Sequence, residues 1–137
     1  GCAPEELASL VGAMLADAVL APEAIHSVST LDLKADEPAV LALAEALGVP
    51  LRLFSAAELE AEAPRLESPS ATVFAEVGCH GVSEGAALAQ GGPEAELWEP
   101  KRKSPSATCA LAVSPAPLTT LRGRPRGRLA VVGIGPG

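Results

Sequence analysis

Three short segments of the chain combine charged side chains with glycine or proline at spacings that suit ligand binding. They are residues 31–38 (LDLKADEP), 77–89 (VGCHGVSEGAALA) and 99–106 (EPKRKSPS). Together they supply six candidate site residues: Lys34, Glu37, Ser83, Glu84, Lys101 and Lys103. A lysine ammonium is a point charge for an anion, and a carboxylate can accept hydrogen bonds or act as a base. A local group of lysines in an otherwise acidic chain is best suited to a small polyanionic ligand.

Each candidate also has a purely structural interpretation. Pro38 suits the first position of a helix, which makes Glu37 the N-cap residue. Ser, Thr, Asp and Asn are the favoured caps, so a glutamate there suggests a further task as an acceptor or base. Glu84 falls in the first turn of a helix, where the helix dipole stabilises a carboxylate without any ligand. Ser83 and the N–H groups beside it can seat an anion or simply cap the helix. The lysines can equally be solvated.

The segment 27–59 contains the clearest secondary-structure pattern. Residues 25–30 are rich in β-branched side chains and predict a strand, and residues 51–54 predict a second one. Between them lie the 31–38 loop and an apolar stripe at helical spacing. A crossover this short predicts that the two strands are parallel, which places the loop at their carboxyl edge. In α/β proteins that edge is where ligands bind.

Local signals predict where the helices of this segment begin and end. Pro38 begins the first helix, and Gly48 is placed to end it in the left-handed conformation, with Pro50 preventing its continuation. Residues 55–58 (SAAE) form a capping box that begins the next helix. The unit therefore reads strand, loop, helix, strand, helix.

The remaining segments predict a helix over 1–20 and another that begins at Ser83. Residues 70–77 predict a capped helix, with a strand over 72–77 as the alternative. Residues 96–99 and 107–113 predict two strands. The last two strands predict a hairpin whose tip holds the cations 101–103, with Arg102 pointing away from Lys101 and Lys103. Residues 114–128 read as a solvated linker rich in proline and arginine. Residues 128–137 (RLAVVGIGPG) read as a strand that runs into a glycine turn. The fold class is α/β.

Composition excludes several classes of function. The 137 residues carry a net charge of -7, so nucleic acid is a poor partner. No apolar run reaches the roughly 20 residues of a membrane span, and the first residues do not show the charged-then-apolar pattern of a signal. The three cysteines are odd in number and lack a CxxC pair, which favours reduced thiols in a cytoplasmic protein. No spacing of His, Cys and Asp predicts a metal site. His26 is expected to be packed in its strand, and His80 has no evident partner.

Three ordered motifs resemble the C-terminal domain of the cobalt-precorrin-5A hydrolase (CbiG) family and its stand-alone relative CobE. Residues 30–59 contain Lys34, Glu37 and Pro38 where that family has K-x-x-E-P. Residues 77–89 resemble its V-G-x-x-x-V-x-E-A-A-A-L, although Gly85 replaces an alanine. Residues 99–112 resemble its P-K-x-K-S-x-x-A-T-x-A. The resemblance covers residues 1–113, which we take as one domain whose first strand, in the family, would precede Gly1.

This resemblance implies a three-layer α/β/α fold with a largely parallel sheet and a C-terminal hairpin. It also implies cobalamin biosynthesis, with a precorrin or cobalt-precorrin intermediate as the partner. The family's hydrolase opens a δ-lactone on the ring, so Glu37 and Glu84 would be catalytic, and Lys34, Ser83, Lys101 and Lys103 would bind the ring carboxylates. We expect this segment alone to be inactive. The alternative is a non-catalytic module that assembles or channels precorrin intermediates.

The tail resembles the first strand and loop of precorrin-3B C17-methyltransferases (CobJ/CbiH). This implies a fusion in which residues 114–128 link the first domain to a methyltransferase that begins within 129–137. Gly133, Gly135 and Pro136 would then belong to an incomplete S-adenosylmethionine loop. We expect no cofactor for the first domain, S-adenosylmethionine for the rest of the methyltransferase, and the attached methyltransferase as a partner.

Overall fold

The computed structural model describes residues 2–126 and Pro136. The tail predictions on Gly133 and Gly135 therefore lie outside the described residues. The helices are α1 (Pro4–Ala18), α2 (Pro38–Leu47), α3 (Ala56–Glu60), α4 (Ala71–Val77) and α5 (Ser83–Gly91). The strands are β1 (Val28–Leu31), β2 (Leu51–Phe54), β3 (Glu96–Lys103), β4 (Thr108–Val113) and β5 (Arg124–Pro125). Single 3₁₀ turns occupy Pro22–Ala24, Asp32–Lys34 and Ala63–Arg65.

The strands of the described residues form two sheets. β1 and β2 are parallel, in a register that runs from Val28 opposite Leu51 to Leu31 opposite Phe54. The two-residue β5 lies antiparallel on the other side of β2. β3 and β4 form a separate antiparallel hairpin. The predicted α/β class, the parallel pair and the C-terminal hairpin are confirmed, and the three-layer arrangement stays a prediction.

Caps fix the helix ends where the sequence predicts them. Glu37 is the extended N-cap residue of α2, and Gly48 ends that helix at φ +67°. Ser55 and Glu58 form the capping box of α3, with both reciprocal hydrogen bonds present. Ser70 accepts the Val73 N–H and begins α4, so residues 72–77 are helical and the strand alternative is wrong. In each case one local side chain or backbone conformation decides the outcome.

Two apolar clusters form the core. One joins α1 to α2 and β4 through residues such as Leu10, Met14 and Cys109. The other packs Leu31 and Phe54 against α3 and α5, with residues such as Leu59, Cys79 and Ala86. The apolar stripe predicted on α2 is buried only at Ala44, whereas its larger members are half-buried, namely Val40, Leu43 and Leu47. An apolar helix face that stays partly open indicates incomplete packing beneath α2.

The predicted linker is not wholly solvated. The Arg52 guanidinium donates to the carbonyls of Arg122, at 2.7 Å, and Gly123, at 2.8 Å. Arg124 pairs with Glu58 at 2.9 Å. These contacts hold residues 122–126 against β2. The sequence pattern gives no signal that Arg52 supplies the donors. The domain boundaries at 113 and 128 stay predictions.

Candidate functional site

A cavity of about 950 Å³ lies between β1, β4, α1, α2 and α5. Its apolar inner part is lined by α1, α2 and the two strands. Five of the six predicted site residues line this one cavity: Lys34, Glu37, Ser83, Lys101 and Lys103. We call the part of the wall that these five residues form the mouth. Residues predicted from three distant segments are thus brought together, and the volume is in the range that small-molecule sites occupy.

The loop after β1 positions the first two mouth residues. Lys34 ends a 3₁₀ turn and is exposed. Glu37 takes the N-cap position of α2, but its side chain makes no cap hydrogen bond. Instead, Glu37 Oε1 accepts the backbone N–H of Cys2 at 3.2 Å, which ties the start of α1 to the start of α2. The second carboxylate oxygen makes no hydrogen bond within the described residues, so it is available for a ligand.

The hairpin positions the other two lysines, and one detail of the prediction is wrong. Strand β3 continues to Lys103, which lies opposite Thr108, so residues 101–103 belong to the strand and the tip is further along. The predicted alternation is confirmed. Lys101 and Lys103 line the cavity, whereas Arg102 pairs with Asp17 at 2.7 Å and Glu99 at 2.9 Å. The Asp17 hydrogen bond is the main cause that raises the pKa of Arg102.

Glu6 in the first turn of α1 holds the hairpin tip in place. Its carboxylate accepts the Ser106 N–H at 2.8 Å, the Ser106 hydroxyl at 2.7 Å and the Ser104 hydroxyl. The hydrogen bond from the Ser104 side chain is the largest cause that lowers the pKa of Glu6. Sequence reasoning missed this role, because a glutamate near a helix start was already accounted for by the helix dipole.

Glu84 does not line the cavity, and no contact supports a catalytic role for it. It is 1% exposed. Its Oε1 accepts the N–H groups of Glu67 at 3.0 Å and Ser68 at 2.9 Å, and its Oε2 accepts the Lys101 N–H at 2.8 Å. A carboxylate that is buried with three backbone donors positions the chain segments around it. Glu84 therefore holds β3 at Lys101 against the start of α5.

Ser83 begins α5, and its hydroxyl oxygen is buried without a hydrogen-bond partner in the described part of the chain. Buried polar groups are normally hydrogen-bonded, so an orphaned hydroxyl on a cavity wall is notable. Gln90, at the other end of α5, is 4% exposed and likewise lines the cavity. Its Oε1 accepts the Arg122 N–H at 2.7 Å, whereas its Nε2 has no partner among the described residues.

Sequence reasoning missed a partner for His80. The His80 Nδ1 lies 2.7 Å from Glu60 Oε2, and the His80 backbone N–H donates to Glu60 Oε1 at 3.0 Å. The imidazole stacks on Phe74 with ring centroids 4.4 Å apart. The backbone hydrogen bond from His80 is the first cause that lowers the pKa of Glu60. A contact across 20 positions has no local signal. His26 is half-buried on the cavity wall, and its Nδ1 lies 2.9 Å from Ser27 Oγ.

Within the described residues, no group of three or more His, Cys, Asp or Glu side chains could hold a metal ion. None of the helices in that part of the chain is long and apolar enough to cross a bilayer. The mouth is cationic in balance, with three lysines and Glu37, and Glu76 also lines the cavity. The arrangement can bind a ligand that presents several carboxylates around an apolar body.

Comparisons with known proteins show which family the chain belongs to. The family model described as "Cobalamin synthesis G C-terminus" matches residues 1–112. Protein CobE of Sinorhizobium sp is 52% identical over 108 residues, which are 79% of this chain and 70% of that protein. The cobalt-precorrin-5A hydrolase of Priestia megaterium is 30% identical over 115 residues, 84% of this chain. The chain spans only 30% of that hydrolase's length.

Two solved structures share the fold. A crystal structure of CobE, a protein from the cobalamin (vitamin B12) biosynthetic pathway, has a TM-score of 0.75 at 37% identity. The match covers 82% of each of the two chains. The cobalamin biosynthesis protein chiG from Agrobacterium tumefaciens has a TM-score of 0.63 at 28% identity, over 85% of this chain and 92% of the other. The chain belongs to the cobalamin synthesis G C-terminus family, whose relatives place it in cobalamin biosynthesis.

Proposed function

We propose that the chain binds a carboxylate-rich corrin-ring intermediate of cobalamin biosynthesis at the mouth of its cavity. The observation that carries the proposal is the convergence of Lys34, Lys101 and Lys103 on one cavity with an apolar interior. The lysines would bind acetate and propionate side chains, while apolar wall residues contact the ring.

Glu37 has one carboxylate oxygen, Oε2, that makes no hydrogen bond within the described residues. In the proposal its Oε2 orients the ring or assists opening of the ring lactone in a cobalt-precorrin-5A hydrolase-type reaction. Ser83 would donate its unpartnered hydroxyl hydrogen to a ligand oxygen, which would satisfy the orphaned group. Glu84 contributes indirectly, because its hydrogen bond to the Lys101 N–H fixes the strand that presents two of the lysines.

The test is titration of the purified chain with cobyrinic acid, whose side chains are free carboxylates, and with its heptamethyl ester, which is uncharged. Each lysine is expected to contribute about 1 kcal/mol, so Lys101→Gln and Lys103→Gln should each weaken binding roughly fivefold. Arg102→Gln is the matched control on the same strand, because its side chain pairs with Asp17 and leaves the cavity. Binding should fall steeply with salt.

Equal affinity for the acid and the ester, or equal losses in all three variants, would contradict the proposal. Absence of binding at low ionic strength would dispose of it. These outcomes do not depend on catalysis by the isolated chain.

A second function is a non-catalytic module that assembles or hands over precorrin intermediates. It is favoured by Glu84, one of the two residues expected to be catalytic, because its carboxylate is held by three backbone N–H groups and does not line the cavity. The partner would be a C17-methyltransferase, because the tail sequence resembles the start of that enzyme family. Loss of lactone hydrolysis on Glu37→Gln in a hydrolase that contains this domain supports the first function. An unchanged hydrolysis rate with weakened retention of the methyltransferase supports the second.

A further inference from the structure

Trp98 is the single tryptophan of the chain, and it lies half-exposed on the cavity wall. The sequence has only two phenylalanines besides it, and no tyrosine. Phe54 is 3% exposed and fills the core, and Phe74 stacks on His80, whereas Trp98 is 50% exposed. Tryptophan is strongly buried on average, because its indole has a large apolar area. A half-exposed indole on a cavity wall is therefore available to contact a ligand.

Strand β3 turns Trp98 to the same side as the two lysines that it contributes to the mouth. The residues of β3 on the cavity wall are Trp98, Lys101 and Lys103. Trp98 and Lys101 are three positions apart, and such residues lie on opposite faces of a regular strand. The register of β3 against β4 shifts twice, the second time between Glu99 and Arg102. A bulge adds one residue to a strand and re-aims side chains, so this shift puts the indole and the lysines on one wall.

Pro100 and Glu84 hold the second register shift in place. Pro100 has no N–H to donate to a ladder, and proline in sheets is therefore confined to edges, strand starts and bulges. The next N–H, that of Lys101, donates to the buried carboxylate of Glu84 at 2.8 Å. The irregular part of the strand is thus fixed by α5. The position of Trp98 relative to the lysines is built into β3 before any ligand binds.

We propose that Trp98 makes this site selective for a flat, conjugated macrocycle, by packing its indole on the ring while Lys101 and Lys103 bind carboxylates at the ring edge. The inference rests on the proposed function and adds the residue that distinguishes the ring from other polyanions. A lysine ammonium is a point charge that any carboxylate satisfies, so the lysines alone do not discriminate. Stacking of a planar base on an aromatic side chain changes affinity by roughly fivefold or more, and it needs a π-face on the ligand.

The spacing along β3 sets the size of the ligand. A rise of about 3.3 Å per residue places Lys101 about 10 Å and Lys103 about 16 Å from Trp98 along the strand. A ligand that packs on the indole and also reaches both ammonium groups is therefore extended and carries its anionic groups at the periphery. A compact tricarboxylate such as citrate is too small to bridge them. A tetrapyrrole with acetate and propionate side chains has both features.

The experiment uses two probes with the same acetate and propionate groups, uroporphyrin and its reduced form uroporphyrinogen. Uroporphyrin is flat and conjugated, whereas the ring of uroporphyrinogen is interrupted by saturated carbons and is not planar. In titrations at low ionic strength without oxygen, the unmodified chain should bind uroporphyrin at least about fivefold more tightly than uroporphyrinogen. Trp98→Leu should abolish this preference by weakening uroporphyrin binding alone, and should weaken cobyrinic acid binding to a similar extent.

Phe74→Leu is the matched control, because Phe74 is 45% exposed, packs on His80 and does not line the cavity. It should leave both affinities unchanged. Trp98→Phe keeps a smaller aromatic ring and should bind uroporphyrin with intermediate affinity, which keeps the test decisive if the leucine variant is less stable. In NMR spectra of the unmodified chain, uroporphyrin should move the indole ring protons of Trp98 upfield, because the ring current acts on protons stacked over the macrocycle.

An unshifted indole signal in the complex would overturn the inference. So would equal affinity of the unmodified chain, Trp98→Leu and Trp98→Phe for uroporphyrin. In either case the proposed function would stand if Lys101→Gln and Lys103→Gln still weakened cobyrinic acid binding. If neither cobyrinic acid nor uroporphyrin bound the unmodified chain, the proposed function would fail and this inference with it.

Discussion

Removing the Glu84 carboxylate is the sharpest perturbation of this structure. Its two oxygens accept three backbone N–H groups from two separate segments, and the side chain is 1% exposed. A hydrogen bond to a charged group contributes about 1.5–3 kcal/mol, and an orphaned buried donor costs about 1–3 kcal/mol. Because losses that share one partner are not additive, we expect Glu84→Ala to lower the free energy of unfolding by about 3–4 kcal/mol.

Glu84→Gln separates the two oxygens. The remaining carbonyl oxygen can still accept from Glu67 and Ser68, whereas the new amide group places a donor against the Lys101 N–H. The loss should be about 1–3 kcal/mol and should be centred on β3. Urea denaturation at pH 7 measures the first quantity, and the amide chemical shift and hydrogen exchange of Lys101 measure the second. Cobyrinic acid should bind this variant more weakly, because the strand that carries two mouth lysines is released.

Glu94→Gln serves as the control, since Glu94 is exposed. Its midpoint in urea should match that of the unmodified chain. A loss of less than about 1 kcal/mol for Glu84→Ala would refute the positioning role of Glu84. So would a Glu84→Gln variant that abolishes binding while Lys101 exchange stays unchanged, because Glu84 would then act on the ligand directly.

Three further predictions follow from single contacts. Because hydrogen bonds lower the pKa of Glu6 in the folded state from its usual 4.5, its contribution to stability is present above that value and lost as pH falls through the lowered pKa. Glu6→Gln should therefore shift the urea midpoint more at pH 7 than at pH 3, and an equal shift at both would contradict this. Burial raises the pKa of the Cys109 thiol to about 11 and Cys79 is 0% exposed, so a disulfide reagent at pH 8 should modify only Cys2 rapidly. Cys2→Ser should remove that fast phase, and a second fast thiol would show that the core opens. Ser55→Ala should cost about 1 kcal/mol in urea denaturation through loss of the capping box, and no loss would mean that α3 is held by packing alone.

Local rules predict a large part of this fold. Pro38, Gly48, Ser55 and Ser70 each act within four residues of themselves, so their helix ends can be predicted from the sequence. The grouping of the candidate site residues could also be predicted from the sequence. Charged residues at strand ends and on one strand face converge because of the geometry of parallel strands and hairpins. The predicted separation of Arg102 from its two lysine neighbours rests on strand periodicity alone.

What the sequence could not give are the contacts to backbone groups far along the chain. Glu84 binds N–H groups, which every residue except proline carries, so no residue type at 67, 68 or 101 signals the partner. Arg65 likewise donates to the carbonyls of Gly92 and Ala95, each at 3.1 Å. The positioning roles of Glu84 and Arg52 could not be predicted for the same reason, because both side chains bind backbone groups. A side chain that recognises main-chain groups leaves no complementary residue in the sequence.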